Sequence, residues 1–158
     1  MSDWKKYMED VTSGRRLAGR LERLAVERTA RLMEDERYFM DTEEVERVLG
    51  IISLFRHTKG QYYGQPFQLF PFQAYYFAHA FGLKRKDTGL RLTRKTLLVT
   101  AKKSGKSELA GAQAVLMAFF DGEPRAECYS AANKFDQALF CWDAARVICK
   151  QLAADSES

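Results

Sequence analysis

The sequence predicts an α/β protein: N-terminal helices followed by a strand, a turn, a helix, a second strand and a last helix of a parallel sheet. Three observations carry this. A short apolar run at 96–100 ends in a polar turn closed by Gly105-Lys106-Ser107, and an apolar, helix-prone segment follows at once. A second short run, Ala126–Ser130, comes after that segment at a distance that suits a right-handed crossover. Upstream, apolar residues recur at helical spacing.

In chain order, residues 11–33 place Leu17, Leu21, Leu24, Ala25, Arg28 and Leu32 on one helical stripe, which predicts an amphipathic helix. Arg15, Arg16, Arg20 and Arg23 crowd its first half, as a solvated face or a docking face. Asp41 and Glu44 form a capping-box pattern that opens a second helix carrying Val45, Val48, Leu49, Ile52 and Phe55, ended by Lys59-Gly60. Residues 61–72 are aromatic and broken by Gly64, Pro66 and Pro71. Pro71 starts a helix rich in aromatics that runs to Gly82, a C-cap candidate. Residues 83–95 read as a basic loop or hairpin. Strand 96–100, a helix over 107–120, an Asp121-Gly122-Glu123-Pro124 turn and strand 126–130 follow. Asn133 is placed to cap a last helix with Phe135, Ala138, Leu139, Trp142, Ala145 and Cys149 on one face.

At 158 residues the chain is one domain or part of one, large enough to bury a core. No apolar run approaches a membrane span, and the polar start is not a signal peptide, so the expectation is a soluble intracellular protein. Cys128, Cys141 and Cys149 match no zinc spacing and read as reduced thiols. His57 and His79 have no evident partner in the sequence, which argues against a metal role. The net charge of +4 is unevenly spread: nine Lys and Arg lie between Lys84 and Lys106 against one acid, Asp87. That stretch suits phosphates of a nucleotide or of DNA, or a solvated loop.

The Gly105-Lys106-Ser107 turn has the chemistry of a phosphate loop. Gly105 lets the backbone come close to an anion, and the N–H groups that open the next helix point at it. The Lys106 ammonium would neutralise β- and γ-phosphate charge, and the Ser107 hydroxyl would hold Mg²⁺. The first glycine of the usual pattern is replaced by Thr100. Gln73, in a first helical turn, has an amide that can pair with N6 and N7 of adenine.

Together, Tyr-Tyr-Gly-Gln-Pro-Phe at 62–67, Leu-Phe-Pro-Phe-Gln at 69–73, Leu-Leu-Val-Thr-Ala-Lys-Lys-Ser-Gly-Lys-Ser at 97–107 and Glu-Cys-Tyr-Ser-Ala-Ala-Asn-Lys-Phe-Asp-Gln-Ala at 127–138 resemble the N-terminal part of a tailed-bacteriophage terminase large subunit. That family is the ATP-driven motor that packages DNA into the procapsid, with an N-terminal ATPase and a C-terminal nuclease. The resemblance covers roughly 60–150. It implies a partial P-loop NTPase fold, a helical region at 1–59 and an ATPase domain at 60–158.

It implies that Gln73 recognises adenine and that Thr100, Ala101, Lys102, Lys103, Ser104, Gly105, Lys106, Ser107 and Glu108 cradle the phosphates. Lys102 and Lys106 take the catalytic positions, with Ser107 on Mg²⁺. ATP and Mg²⁺ are the implied cofactors. Double-stranded DNA, a small terminase subunit and a portal protein are the implied partners, with self-association as a further expectation. The implied setting is the host cytoplasm, from a phage or prophage gene.

The family's second nucleotide motif, an apolar strand ending in adjacent acids, has no counterpart. Val115–Glu123 comes closest but starts eight residues after Ser107, inside a helix. The expectation is therefore a fragment that stops in mid-fold, without the nuclease, that binds ATP and hydrolyses it poorly. Exposed sheet edges at 96–100 and 126–130 would then favour dimerisation or a marginal fold. Two other readings stay open: an interaction or DNA-binding module without ATPase activity, and a helicase-like P-loop ATPase.

Overall fold

The computed structural model describes residues 3–156. The chain divides into two compact units. One takes the residues up to Leu49 together with Leu69–Leu97; the other takes Gly50–Gln68 and the chain from Leu98 onward.

The first unit opens with a helix that the stripe at 11–33 did not announce. α1 (Asp3–Thr12) buries Trp4, Tyr7, Met8 and Val11, spaced i, i+3, i+4, i+7. They pack in one cluster with Val26, Val45, Ala74 and Ala78. α2 (Arg20–Glu34) begins at Arg20, not at residue 11, because the chain turns at Gly14 (φ 76°) and enters the helix through Gly19. Its buried residues are Val26 and Thr29, whereas Leu17 and Leu21 are 92% and 78% exposed. Glu22 sets that rotation: it accepts hydrogen bonds from the Tyr7 hydroxyl and the Gly19 amide. The Leu17–Leu21 stripe therefore faces no core.

β1 (Tyr38–Met40) pairs antiparallel with β2 (Leu83–Arg85), with Phe39 opposite Lys84. Between them lies the start of α3 (Thr42–Ser53). Asp41 caps α3 by accepting the Glu44 amide at 3.0 Å, and its other oxygen accepts Lys84 Nζ at 2.8 Å. The reciprocal half of the box is not made. The Asp41 amide donates to the Gly82 carbonyl, and Glu44 pairs with Arg47.

α4 (Pro71–Phe77) runs into a π turn, Ala78–Gly82. Gly82 ends that turn, but its role is close approach: a Cβ there would lie 2.2 Å from Val45 Cγ2. The basic stretch after β2 does fold back as a hairpin-like turn. Leu92 donates to the Leu83 carbonyl, Arg85 donates to Leu90, and Arg91 stacks on Phe81 at 4.5 Å.

The second unit rests on α5 (Lys106–Phe119) and α6 (Phe135–Ser156). They cross at Gly111, where a Cβ would lie 2.7 Å from Ala144 Cβ and 2.9 Å from the Ala145 nitrogen. α6 starts one residue later than expected, with Lys134 rather than Asn133 at the cap: its carbonyl accepts the Gln137 and Ala138 amides. Residues 55–67 form a loop closed on itself. Phe67 donates to Phe55, His57 donates to Gln65, and Gly64 donates to His57, all at 2.8–2.9 Å.

The expected parallel strands are absent: 96–100 and 126–130 are irregular. Strand geometry needs a neighbour to complete its ladder of hydrogen bonds. Among the described residues neither run has one, and Leu97, Val99 and Tyr129 are 88%, 79% and 86% exposed. The sole sheet among the described residues is the antiparallel β1–β2 pair. The α/β expectation thus holds only as mixed helix and small sheet.

Candidate functional site

The turn at 100–107 is held by its own side chains. The Lys106 ammonium donates to the Thr100 and Ala101 carbonyls, each at 2.8 Å. The Ser104 hydroxyl donates to the Ala101 carbonyl at 2.8 Å and meets the Thr100 hydroxyl. Thr100, which replaces the first glycine of the usual pattern, thereby acts as a brace rather than as a flexible point.

Two residues take left-handed backbone: Lys103 (φ 65°) and Gly105 (φ 75°). Such a conformation is costly for lysine and free for glycine. Alternation of this kind turns successive amides toward one side of the chain, the geometry of an anion-binding nest. Gly105 then serves as the N-cap of α5, with its carbonyl accepting the Leu109 amide at 2.8 Å. The amides of Lys106, Ser107 and Glu108 belong to the first turn, where a helix has no internal acceptors for them.

The donor set suits a polyphosphate. Ala101, Lys102, Lys103, Gly105 and Lys106 are exposed, and Ser104 and Ser107 are half-buried. Lys106 must exchange its two carbonyl partners for phosphate oxygens. Ser107 Oγ is a fitting single oxygen for Mg²⁺, whose remaining positions water and phosphate usually fill. No group of three or more His, Cys, Asp or Glu side chains able to hold a metal occurs among the described residues.

Glu108, next to Ser107, points elsewhere. Only 8% exposed, its carboxylate accepts the Thr58 amide (2.5 Å), the Thr58 hydroxyl (2.8 Å) and a contact from His57 Nδ1 (3.0 Å). Burial alone would raise this carboxyl; the hydrogen bonds from Thr58 and His57 outweigh it and hold the group below the usual glutamate range. What Glu108 can offer a ligand is its backbone amide. Sequence reasoning missed the partnership of His57, Thr58 and Glu108, since nothing local links residues some fifty positions apart.

Gln73 lies in the first unit, in the first turn of α4, and is 4% exposed. Its Oε1 accepts the Phe70 amide at 2.9 Å, so it completes a cap. An amide oxygen has a second lone pair, and the amide nitrogen is not used in that bond.

Residues 71–156, more than half of the chain, match the family described as terminase large subunit, ATPase domain. The chain belongs to that family. No curated protein and no solved structure matches it. The match embraces Gln73, the whole turn at 100–107 and both α5 and α6, and identifies the segment as a piece of the packaging-motor ATPase. No described helix is long and apolar enough to cross a membrane.

Proposed function

We propose that this terminase segment binds Mg-ATP on the turn at 100–107. The observation that carries the reading is the left-handed Lys103–Gly105 backbone feeding the α5 N-terminus, with Lys106 and Ser107 in its first turn. Lys106, Lys102 and Lys103 neutralise phosphate charge, Ser107 binds Mg²⁺, and the amides of 104–108 hold the phosphates. Adenine recognition by Gln73 is proposed from the family resemblance alone: its cap uses one lone pair of Oε1 and leaves the other, with the amide nitrogen, for a base.

Hydrolysis by this chain is slow in the proposal, because the acids that follow the turn in sequence are not placed to orient water. Glu108 is occupied by Thr58 and His57. Asp121 and Glu123 follow the far end of α5, a helix of 14 residues and hence roughly 20 Å long. The segment then serves as the ATP-binding part of a phage DNA-packaging motor. Double-stranded DNA, the small subunit and the portal are partners proposed from the family, and the host cytoplasm is the proposed setting.

Calorimetric titration of Mg-ATP tests the reading. Wild type binds, and Lys106→Ala, which removes the ammonium and its brace on the Thr100 and Ala101 carbonyls but no buried group, leaves α5 and α6 folded and weakens binding ~10–100-fold, the loss of a charge-assisted contact of about 1.5–3 kcal/mol. A folded wild type that does not bind overturns it.

A further inference from the structure

We infer that Glu108 is a positioning residue: it ties the first turn of the phosphate-loop helix to the loop at 55–67, so that the two segments order together. The inference rests on the phosphate-loop reading for its functional consequence, but its geometry stands alone.

Glu108 is the residue after Ser107, so its Cα belongs to the same helical turn that presents the phosphate-facing amides. Its carboxylate is buried and takes three contacts from two consecutive residues, His57 and Thr58. Those residues lie inside a closed loop, not on a free strand. The His57 amide donates to Gln65, the His57 carbonyl accepts from Gly64, and Phe67 donates to Phe55. A third element joins at the same place, as Gln151 Nε2 of α6 donates to the His57 carbonyl at 3.3 Å. The His57 ring packs against Phe67 (4.8 Å between centroids) and Tyr62 (5.7 Å).

The carboxylate thus joins the start of α5 to the 55–67 loop, and Gln151 of α6 holds the same loop at the His57 carbonyl. A buried carboxylate deprived of its donors is costly, so if the 55–67 loop opens, Glu108 must follow it toward water. That movement turns the first turn of α5 and with it the amides of Ser107 and Glu108. Conversely, an anion held on those amides fixes the turn and, through Glu108, the loop. Apparent affinity for an anion scales with the fraction of molecules in which the turn is formed.

The test uses the whole chain and three variants. Glu108→Ala removes all three contacts. His57→Phe keeps the ring packing on Tyr62 and Phe67 but loses Nδ1. His57→Asn places a side-chain amide nitrogen near the position of Nδ1 and is the conservative rescue. Amide hydrogen exchange is followed without nucleotide at 57–67 and at 102–108, and Mg-ATP affinity is measured in parallel.

Glu108→Ala and His57→Phe should speed exchange in both segments together. They should also weaken Mg-ATP about tenfold, as expected if the ordered fraction falls to about a tenth; His57→Asn should restore most of both. Faster exchange confined to 57–67, with 102–108 unchanged, overturns the inference, as does equal behaviour of His57→Phe and His57→Asn. Should Glu108→Ala not fold, His57→Phe carries the comparison. If wild type binds no Mg-ATP, the nucleotide reading falls, while the exchange experiment still decides whether the two segments are tied.

Discussion

The first unit gathers Trp4, Tyr7, Val26, Val45, Ala74 and Ala78, drawn from four helices and the π turn, into one cluster and buries a polar group within the unit. Thr29, with no exposed surface, meets the Tyr75 hydroxyl and His79 Nδ1, each at 2.8 Å. The second unit has two long helices and one closed loop, and it leaves large rings outside: Phe119 is 69%, Phe135 77% and Trp142 56% exposed. Beside them lies an apolar cleft of about 510 Å³ lined by Ala114, Phe119, Tyr129, Trp142 and Cys149. The phosphate-loop candidate sits in this second unit. The contrast teaches that the more deeply buried unit is mostly scaffold, while the phosphate-loop candidate sits where fewer apolar side chains are buried. Such regions open at lower free energy than the core. Local braces therefore matter more there: Lys106 on its two carbonyls and Glu108 on His57 and Thr58.

The largest effect expected from breaking this contrast is at the α5–α6 crossing. Gly111→Val forces side-chain atoms into Ala144 and the Ala145 backbone and should cost about 2–3 kcal/mol. Hydrogen exchange should show the loss across α5 and α6 and spare α1. Equal loss in both units would mean that they unfold as one.

Next in size is the effect of the exposed rings. We expect the second unit to associate with itself through them, and Trp142→Glu to reduce that association. Sedimentation across a concentration series checks it: a wild type monomeric throughout removes the expectation.

The smallest effect is in pH. Burial, and then the nearby Arg28 guanidinium, lower the pKa of His79 below its usual value. The folded first unit therefore binds its proton less readily than the unfolded chain. The stability this contributes is complete above about pH 6.5, the unfolded value, and is lost as pH falls toward the folded one. Melting followed from pH 7.5 to 5 should fall for wild type and fall less for His79→Asn, which cannot take up a proton in that range.

Sequence patterns were most informative where the signal is local. Pro71 starts α4, the Asp41 cap starts α3, and the run after Gly105 is helical as expected. The same kind of signal is present for α1, in the spacing of Trp4, Tyr7, Met8 and Val11. Leu-Leu-Val-Thr at 97–100 forms no strand because apolar, β-branched composition promises a strand only where another strand lies beside it. The rotation of α2 depended on Tyr7 and Glu22, fifteen residues apart, and the burial of Glu108 depended on His57. Neither contact leaves a periodic trace. The resemblance to the terminase family located the candidate loop; it did not show that the acid after Ser107 turns away from it.

Whether the turn at 100–107 is a phosphate site is read directly by residue-resolved NMR. Mg-ATP is titrated into the ¹⁵N-labelled chain and into Lys106→Ala. Large, saturable shifts of the Gly105, Lys106, Ser107 and Glu108 amides in wild type, much reduced in the variant, are the predicted result. A folded wild type whose shifts are absent, or lie away from 100–108, would contradict it.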